Sequence, residues 1–385
     1  MNASFLKEEL QELRANDLYR EIRTLDPLRG AWVRWKGREI LLFCGNDYLG
    51  LSRHPRVVRA AQEAAESHGV GSGAARLISG SSGFHEKLEE KIAAFKQKEK
   101  ALLFAAGYLA NLGILTALAG KKDLIVMDKL CHASMIDGAR LSGAQIRVFP
   151  HKNYARLEEI LKGSAAGYGG QKRIVVTDTV FSMDGDIADL EELARLREEH
   201  GFILVVDDAH GTGVLGRQGR GATEGKISAQ IDIVMGTLSK AVGCLGGFAA
   251  ARAEFIDYLI NFSRPFIYAT SLPPVLCASA LEALTVIEEE AALRERLWEN
   301  ARSIHERLVR LGFEMAPLTS PIIPILVGPE KEAVRISQHL LDKGVLVPAI
   351  RTPTVPKGKA RLRVTASALH EEKDIERLAA ELKKI

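Results

Sequence analysis

Apolar positions follow helical spacing at the start of this 385-residue chain and form short unbroken blocks through its middle. Residues 4–24 set Leu6, Leu10, Leu13 and Leu18 toward one side of a predicted helix. WVRWKGREILLF (32–43) predicts a hairpin turning at Lys36-Gly37, and GNDYLGL follows as a turn. PRVVRAAQEAAESH (55–68) predicts a helix with Pro55 in its first turn. A glycine-rich stretch (69–83) leads to a charged helix, FHEKLEEKIAAFKQK.

From 100 to 250 the blocks DLIVMD, AQIRVFP, KRIVVTDTVF, GFILVVDD and IDIVMGT are short, rich in β-branched residues and mostly unalternated. Strands buried on both faces have this pattern, so an α/β domain with a large, mostly parallel sheet flanked by helices is expected. A helical stretch follows over about 273–311. The tail carries PIIPILV, a helix, GVLVPAI, a Pro-rich loop, ARLRVTAS and a last helix, which suits a small α+β unit. The expected division is an N-terminal helix and hairpin arm (1–48), a large α/β domain (49–285) and a small C-terminal α+β domain (286–385).

Residues 101–120 carry no charge over a membrane-spanning length. Gly107, Asn111, Gly113 and Gly120 interrupt them, and a buried strand (101–105), a turn at Gly107 and a buried helix (108–119) fit better. No membrane partner is therefore expected. The net charge of +3 is too small to imply nucleic acid. Cys44, Cys131, Cys244 and Cys277 form no CxxC or zinc spacing, so no metal is expected. Scattered thiols suit a reducing compartment, hence the cytoplasm. The first residues, MNASFLKEELQEL, do not read as a secretory signal.

Gly69, Gly71 and Ala74 satisfy G-x-G-x-x-[GA], but a helix precedes them where a dinucleotide site needs a strand. No GxxxxGK[ST] or HExxH occurs. The informative segments are VVDDAHGTG (205–213) and MGTLSKAVG (235–243), each at the end of an apolar block. Active groups of open α/β sheets collect at strand carboxyl ends. Lys240 has Gly236 and Cys244 at i±4, hence no helical ion partner. It reads as a solvent-reaching loop lysine or as a Schiff-base lysine, whose amine must be neutral to attack a carbonyl. Pyridoxal 5'-phosphate (PLP) matches the second reading, because its ring nitrogen needs an acid partner. Asp207 suits that role, unless it caps a turn, and His210 can reach the ring's phenolate oxygen. Adjacent strand residues point oppositely, so only one of Asp207 and Asp208 should face the ring.

VFSMDGD (180–186), VVDDAHGTG, GTLSKAVG, the GNDYLGL turn and AIRTPTVP (349–356) occur together, and with them the chain resembles the α-oxoamine synthases from about residue 15 to 380. These are fold-type-I PLP-dependent transferases that join an amino acid to an acyl thioester with loss of CO2. The DDAHGTG and AIRTPTVP variants resemble the branch that joins L-alanine to a pimeloyl thioester, on coenzyme A or an acyl-carrier protein, in biotin biosynthesis. Glycine C-acetyltransferase is the nearest alternative.

The resemblance implies that Lys240 holds PLP, Asp207 pairs with its ring nitrogen and His132 stacks on its face. Gly107 and Tyr108 would receive the phosphate at a helix start, where family members often have Phe in place of Tyr108. Ser182 and Thr237 would add hydroxyl contacts. YATS (268–271), with Ser271, would reach the phosphate from a partner subunit, making a homodimer with shared active sites the catalytic unit. Arg351 would grip the amino-acid carboxylate, with Thr354, Arg20 and Asn46 as further substrate contacts. Arg20 is the choice for the distant carboxylate of the acyl chain. Asp178 stands where some relatives have Glu and is assigned no role.

Overall fold

The structure is a computed structural model that describes residues 4–16, 18–165 and 171–384. It divides into two compact units. One is Asn46–Leu297, and the other joins residues up to Gly45 to those from Trp298 onward.

A seven-stranded sheet organises the first unit. Its order is Lys100–Phe104, Gly247–Ala251, Ile233–Thr237, Ile203–Asp207, Arg173–Asp178, Leu124–Asp128 and Gln145–Phe149. Gly247–Ala251 runs antiparallel to both neighbours, and the other pairings are parallel. The unalternated apolar blocks have a direct cause. Val205, Ile174, Val176, Ile233 and Met235 enter one core, while Leu204, Val206, Val175 and Val234 enter another. Successive side chains leave opposite faces of the sheet, and each face carries its own buried core. The helix Gly107–Leu118 covers the first face with Ala110, Ile114 and Leu115. The uncharged segment is thus a buried strand and helix, and no helix among the described residues is long and apolar enough to cross a membrane.

The second unit holds two small sheets. Trp32–Trp35 and Arg38–Leu42 form the expected hairpin, with Lys36 and Gly37 at φ 48° and 77° in its turn. Positive φ at both turn residues matches the twist of the flanking strands. GVLVPAI divides at Val347-Pro348. Val345–Leu346 pairs parallel with Leu41 and Leu42, whereas Ala349–Ile350 joins the sheet of Ile322–Gly328 and Ala360–Thr365.

Three expectations need correction. The first helix is Ser4–Ala15, not 4–24. Leu18 and Tyr19 N–H both turn back to the Leu13 carbonyl, and Asn16 Nδ2 caps the Glu12 carbonyl at 2.9 Å. Arg20 therefore lies beyond the helix, exposed, and not on a helical face. The stretch 273–311 is two helices, Pro274–Glu289 and Ala291–Arg310. Glu290 leaves helical geometry at ψ 64°, where Glu289 and Glu290 face Arg56 and His54. Acids at a helix C-terminus oppose its dipole, and the Arg56 guanidinium compensates them. The strand Gly247–Ala251 is the third, because the sequence reading does not include it.

Candidate active site

Five parallel or near-central strands deliver polar residues to one cavity at their carboxyl ends. It measures about 280 Å3 and is lined by Gly107, Tyr108, His132, Asp207, His210, Thr237 and Lys240, among others. Asp207 ends the strand Ile203–Asp207 and is 4% exposed. It follows Val205 onto the face of the Gly107–Leu118 helix, and there Asn111 Nδ2 donates to its Oδ2 at 2.8 Å. Ala209 N–H donates to Oδ1 at 2.9 Å. Asp208 turns the other way. Its fully buried carboxylate pairs with Lys96 Nζ at 2.7 Å and accepts from Thr179 Oγ1 at 2.6 Å. Burial lowers the Lys96 pKa against the pull of Asp208.

His132 caps the helix Ala133–Ser142, with Nδ1 accepting from Ser134 N–H. Its ring is exposed to the cavity and meets Tyr108 edge to face, with centroids 6.5 Å apart. Desolvation holds the His132 pKa below its ordinary value. The His132 backbone N–H donates to Asp178 Oδ2 at 2.9 Å. Asp178 sits beside Asp207 in register, and burial followed by the Asp207 charge pushes its pKa well up.

Lys240 is half-buried in a tight loop after Ile233–Thr237, with Gly243 N–H bonded to its carbonyl at 2.8 Å. Gly243 has φ 73°, and a Cβ there would stand 2.3 Å from Ser52 N, so the loop is pressed against Ser52. Thr237 Oγ1 donates to the Gly246 carbonyl at 2.8 Å and contacts Ser239 Oγ at 2.7 Å. Across the cavity, Ala106 gives the Gly107–Leu118 helix no side-chain cap. Its first N–H groups are thus available to an anion.

Other expected residues lie elsewhere. Asn46 connects to the cavity indirectly, because Tyr48 Oη contacts Asn46 Oδ1 at 3.3 Å and His210 Nδ1 at 2.7 Å. Ser182 is half-buried in the turn after Arg173–Asp178 and is not among the lining residues. Ser271 is buried outside the cavity, with its Oγ 2.8 Å from His85 Nε2. In the other unit, Arg351 and Thr354 flank a turn closed by Thr354 N–H to the Arg351 carbonyl at 3.0 Å. Arg351 Nε is buried without a hydrogen-bond partner among the described residues.

The sequence reading missed Tyr48, Asn111, Ser134 and Ser239. Asn111 carried a usable signal, since a polar residue inside the apolar helix GYLANLGILTAL requires a partner once buried.

The family Aminotransferase class I and II matches residues 38–382. The 8-amino-7-oxononanoate synthase of Citrifermentans bemidjiense is 47% identical over 98% of this chain and 97% of its own length. A lysine-to-alanine variant of serine palmitoyltransferase from S. paucimobilis, solved with a bound PLP–myriocin aldimine, superposes with a TM-score of 0.92 at 31% identity, covering 98% of this chain and 96% of that one. An 8-amino-7-oxononanoate synthase from Francisella tularensis gives a TM-score of 0.76 at 31% identity, over 90% of this chain and 97% of its own. Sequence and fold agree: the chain belongs to the aminotransferase class I and II family, in the branch of the 8-amino-7-oxononanoate synthases, with the α/β fold of the fold-type-I PLP-dependent transferases.

Proposed function

We propose that this enzyme condenses L-alanine with a pimeloyl thioester, releasing the thiol and CO2, to give 8-amino-7-oxononanoate for biotin biosynthesis. One observation carries the reading. Lys240, Asp207 and His132 share a single cavity in a chain 47% identical, over nearly its whole length, to such a synthase.

The cavity suits PLP, the cofactor of this enzyme. An acceptor carboxylate, a lysine and an uncapped helix start line one space of about 280 Å3. Bound PLP supplies an electron sink for the charge left on the alanine Cα. Lys240 holds the cofactor, then takes the Cα proton and returns one at the end. Asp207, fixed by Asn111 and Ala209, would pair with the ring nitrogen. His210 would meet the phenolate oxygen, and His132 would cover the ring face. Gly107 and Tyr108 N–H groups would receive the phosphate, and Ser182 and Thr237 are assigned as further hydroxyl contacts to the cofactor. Arg351 is assigned to the alanine carboxylate, since its buried Nε has no hydrogen-bond partner among the described residues and guanidinium is a natural carboxylate fork. Thr354 and Asn46 are assigned to substrate, and Arg20 to the distant acyl carboxylate.

The catalytic unit in this reading is a homodimer with shared sites, each subunit's Ser271 segment completing the other's. Val70, Ile78 and Tyr268 are 81%, 80% and 70% exposed, and Ala75 bridges to Thr270 beside Ser271. Large apolar side chains so exposed favour association. Four free cysteines suit a cytoplasmic setting.

The test is the mass of the product formed from alanine or glycine with pimeloyl, acetyl or succinyl thioesters, on coenzyme A and on a carrier protein. Alanine with pimeloyl should react fastest. Faster turnover of glycine with acetyl-CoA would make the enzyme a glycine C-acetyltransferase.

A further inference from the structure

We propose that Asn111 and Ser134 are positioning residues that fix His132 as the neutral tautomer with its proton on Nε2, so that its cavity side offers a hydrogen-bond donor and not a base. Only the identity of what that donor meets rests on the function proposed above. The tautomer follows from the chain itself.

The argument starts at Asp207. An ionised carboxylate only accepts hydrogen bonds, so the Asn111 amide must present its NH2 group to Oδ2, at 2.8 Å. The same Nδ2 lies 2.9 Å from Ser134 Oγ. An amide nitrogen has two hydrogens, one for each neighbour. Ser134 Oγ therefore accepts from Asn111, and its own hydrogen is left to donate. The acceptor within reach is His132 Nδ1, 2.7 Å away. The Ser134 backbone N–H is directed at the same atom from 3.3 Å. Two donors converging on Nδ1 exclude a proton there, and a neutral ring must then carry it on Nε2.

Burial protects the relay. Asn111 is 1% and Ser134 0% exposed, so water does not compete for either. Desolvation also favours the uncharged ring. Nε2 has no hydrogen-bond partner among the described residues. With its proton there, His132 cannot accept a second at its cavity side, which leaves proton transfer to Lys240.

Nitrogen NMR of holoenzyme labelled with 15N-histidine tests this, with His132 assigned by comparison with His132→Gln. His132 should show an unprotonated Nδ1 and a protonated Nε2 at neutral pH. Ser134→Ala should move the tautomer ratio about fivefold toward Nδ1–H, the ratio one ordinary hydrogen bond sustains, and Ser134→Thr should restore it. A wild-type His132 protonated at Nδ1 would overturn the proposal, as would a Ser134→Ala spectrum identical to wild type. The wild-type spectrum decides alone if the variants do not fold. A protein that binds no PLP would instead reject the functional reading, while the tautomer stays readable in the unloaded chain.

Discussion

Tyr48 Oη and His210 Nδ1 lie 2.7 Å apart, joining two turns separated by 162 residues of chain. Tyr48 is fully buried and His210 is 6% exposed. The GNDYLGL turn thus reaches the cavity through an aromatic hydroxyl that needs a polar partner once buried. Tyr48→Phe removes only that oxygen. The loss of one ordinary hydrogen bond, about 1 kcal/mol, should weaken PLP binding about fivefold with the fold intact. Spectral titration with PLP measures it, and unchanged affinity would remove Tyr48 from the site.

The Lys96–Asp208 pair should matter for folding more than for cofactor contact. Both side chains are 0% exposed, and Lys96 Nζ also reaches Thr212 Oγ1 and the Arg220 carbonyl. Lys96→Met leaves a buried carboxylate without its cation, a change that typically costs about 3–5 kcal/mol. Removing both charges, in Lys96→Met with Asp208→Asn, should recover much of that loss. Denaturant midpoints give the comparison. A double variant no more stable than Lys96→Met would mean that packing, not charge, dominates there.

The sequence made the sheet legible because each central strand feeds two cores, a condition written into the chain as unbroken apolar runs. Pro55 and the Lys36-Gly37 turn were equally readable, since both impose backbone geometry locally. Gly247–Ala251 was not. GFAAA has no β-branched residue, and its strand is held by antiparallel pairing with both neighbours along all five residues. At the site, Lys240 and Asp207 stood out through their flanks. Asn111, Ser134 and Tyr48 act through partners distant in sequence, and only the fold brings those partners together. The first helix was overextended because leucine spacing continues past the point where Asn16 turns the chain.

Stability should respond to pH through His151. Burial alone lowers its pKa, but hydrogen bonds to Asp128 and Asp186, at 3.0 Å each, raise it from 6.5 to about 9. A raised histidine pKa gives stabilisation that is complete below 6.5 and disappears as pH rises through about 9. For Asp186, burial is outweighed by His151 and Lys152, and the pKa falls below 3.8. That contribution is present above 3.8 and lost as pH drops. The Tm difference between wild type and His151→Gln should therefore be widest at mildly acidic pH and close as pH passes about 9. A gap independent of pH would show that the clasp between the 180–186 turn and the end of the Leu124–Asp128 strand is not ionic.

The start of the Gly107–Leu118 helix, assigned above to the phosphate, should be more sensitive to Gly247 than to its own first glycine. A Cβ on Gly247 would stand 2.6 Å from both N and Cα of Gly107 and 2.7 Å from the Ala106 carbonyl carbon. These are backbone atoms and cannot swing aside. A Cβ on Gly107 would meet Met235 Cε, Thr237 Cβ and Thr237 Oγ1, all at 3.2 Å, a longer approach that needs a much smaller displacement. Overfilling of this kind typically costs about 1–3 kcal/mol when the backbone must move. Gly247→Ala should displace the N–H groups of residues 107 and 108 and raise the PLP dissociation constant roughly tenfold or more, by the same energy scale. Gly107→Ala should raise it by less. Equilibrium titration of both folded variants with PLP gives the ranking. The reverse order would show that the phosphate depends on the first residue of the helix, and not on the strand that holds the helix in place.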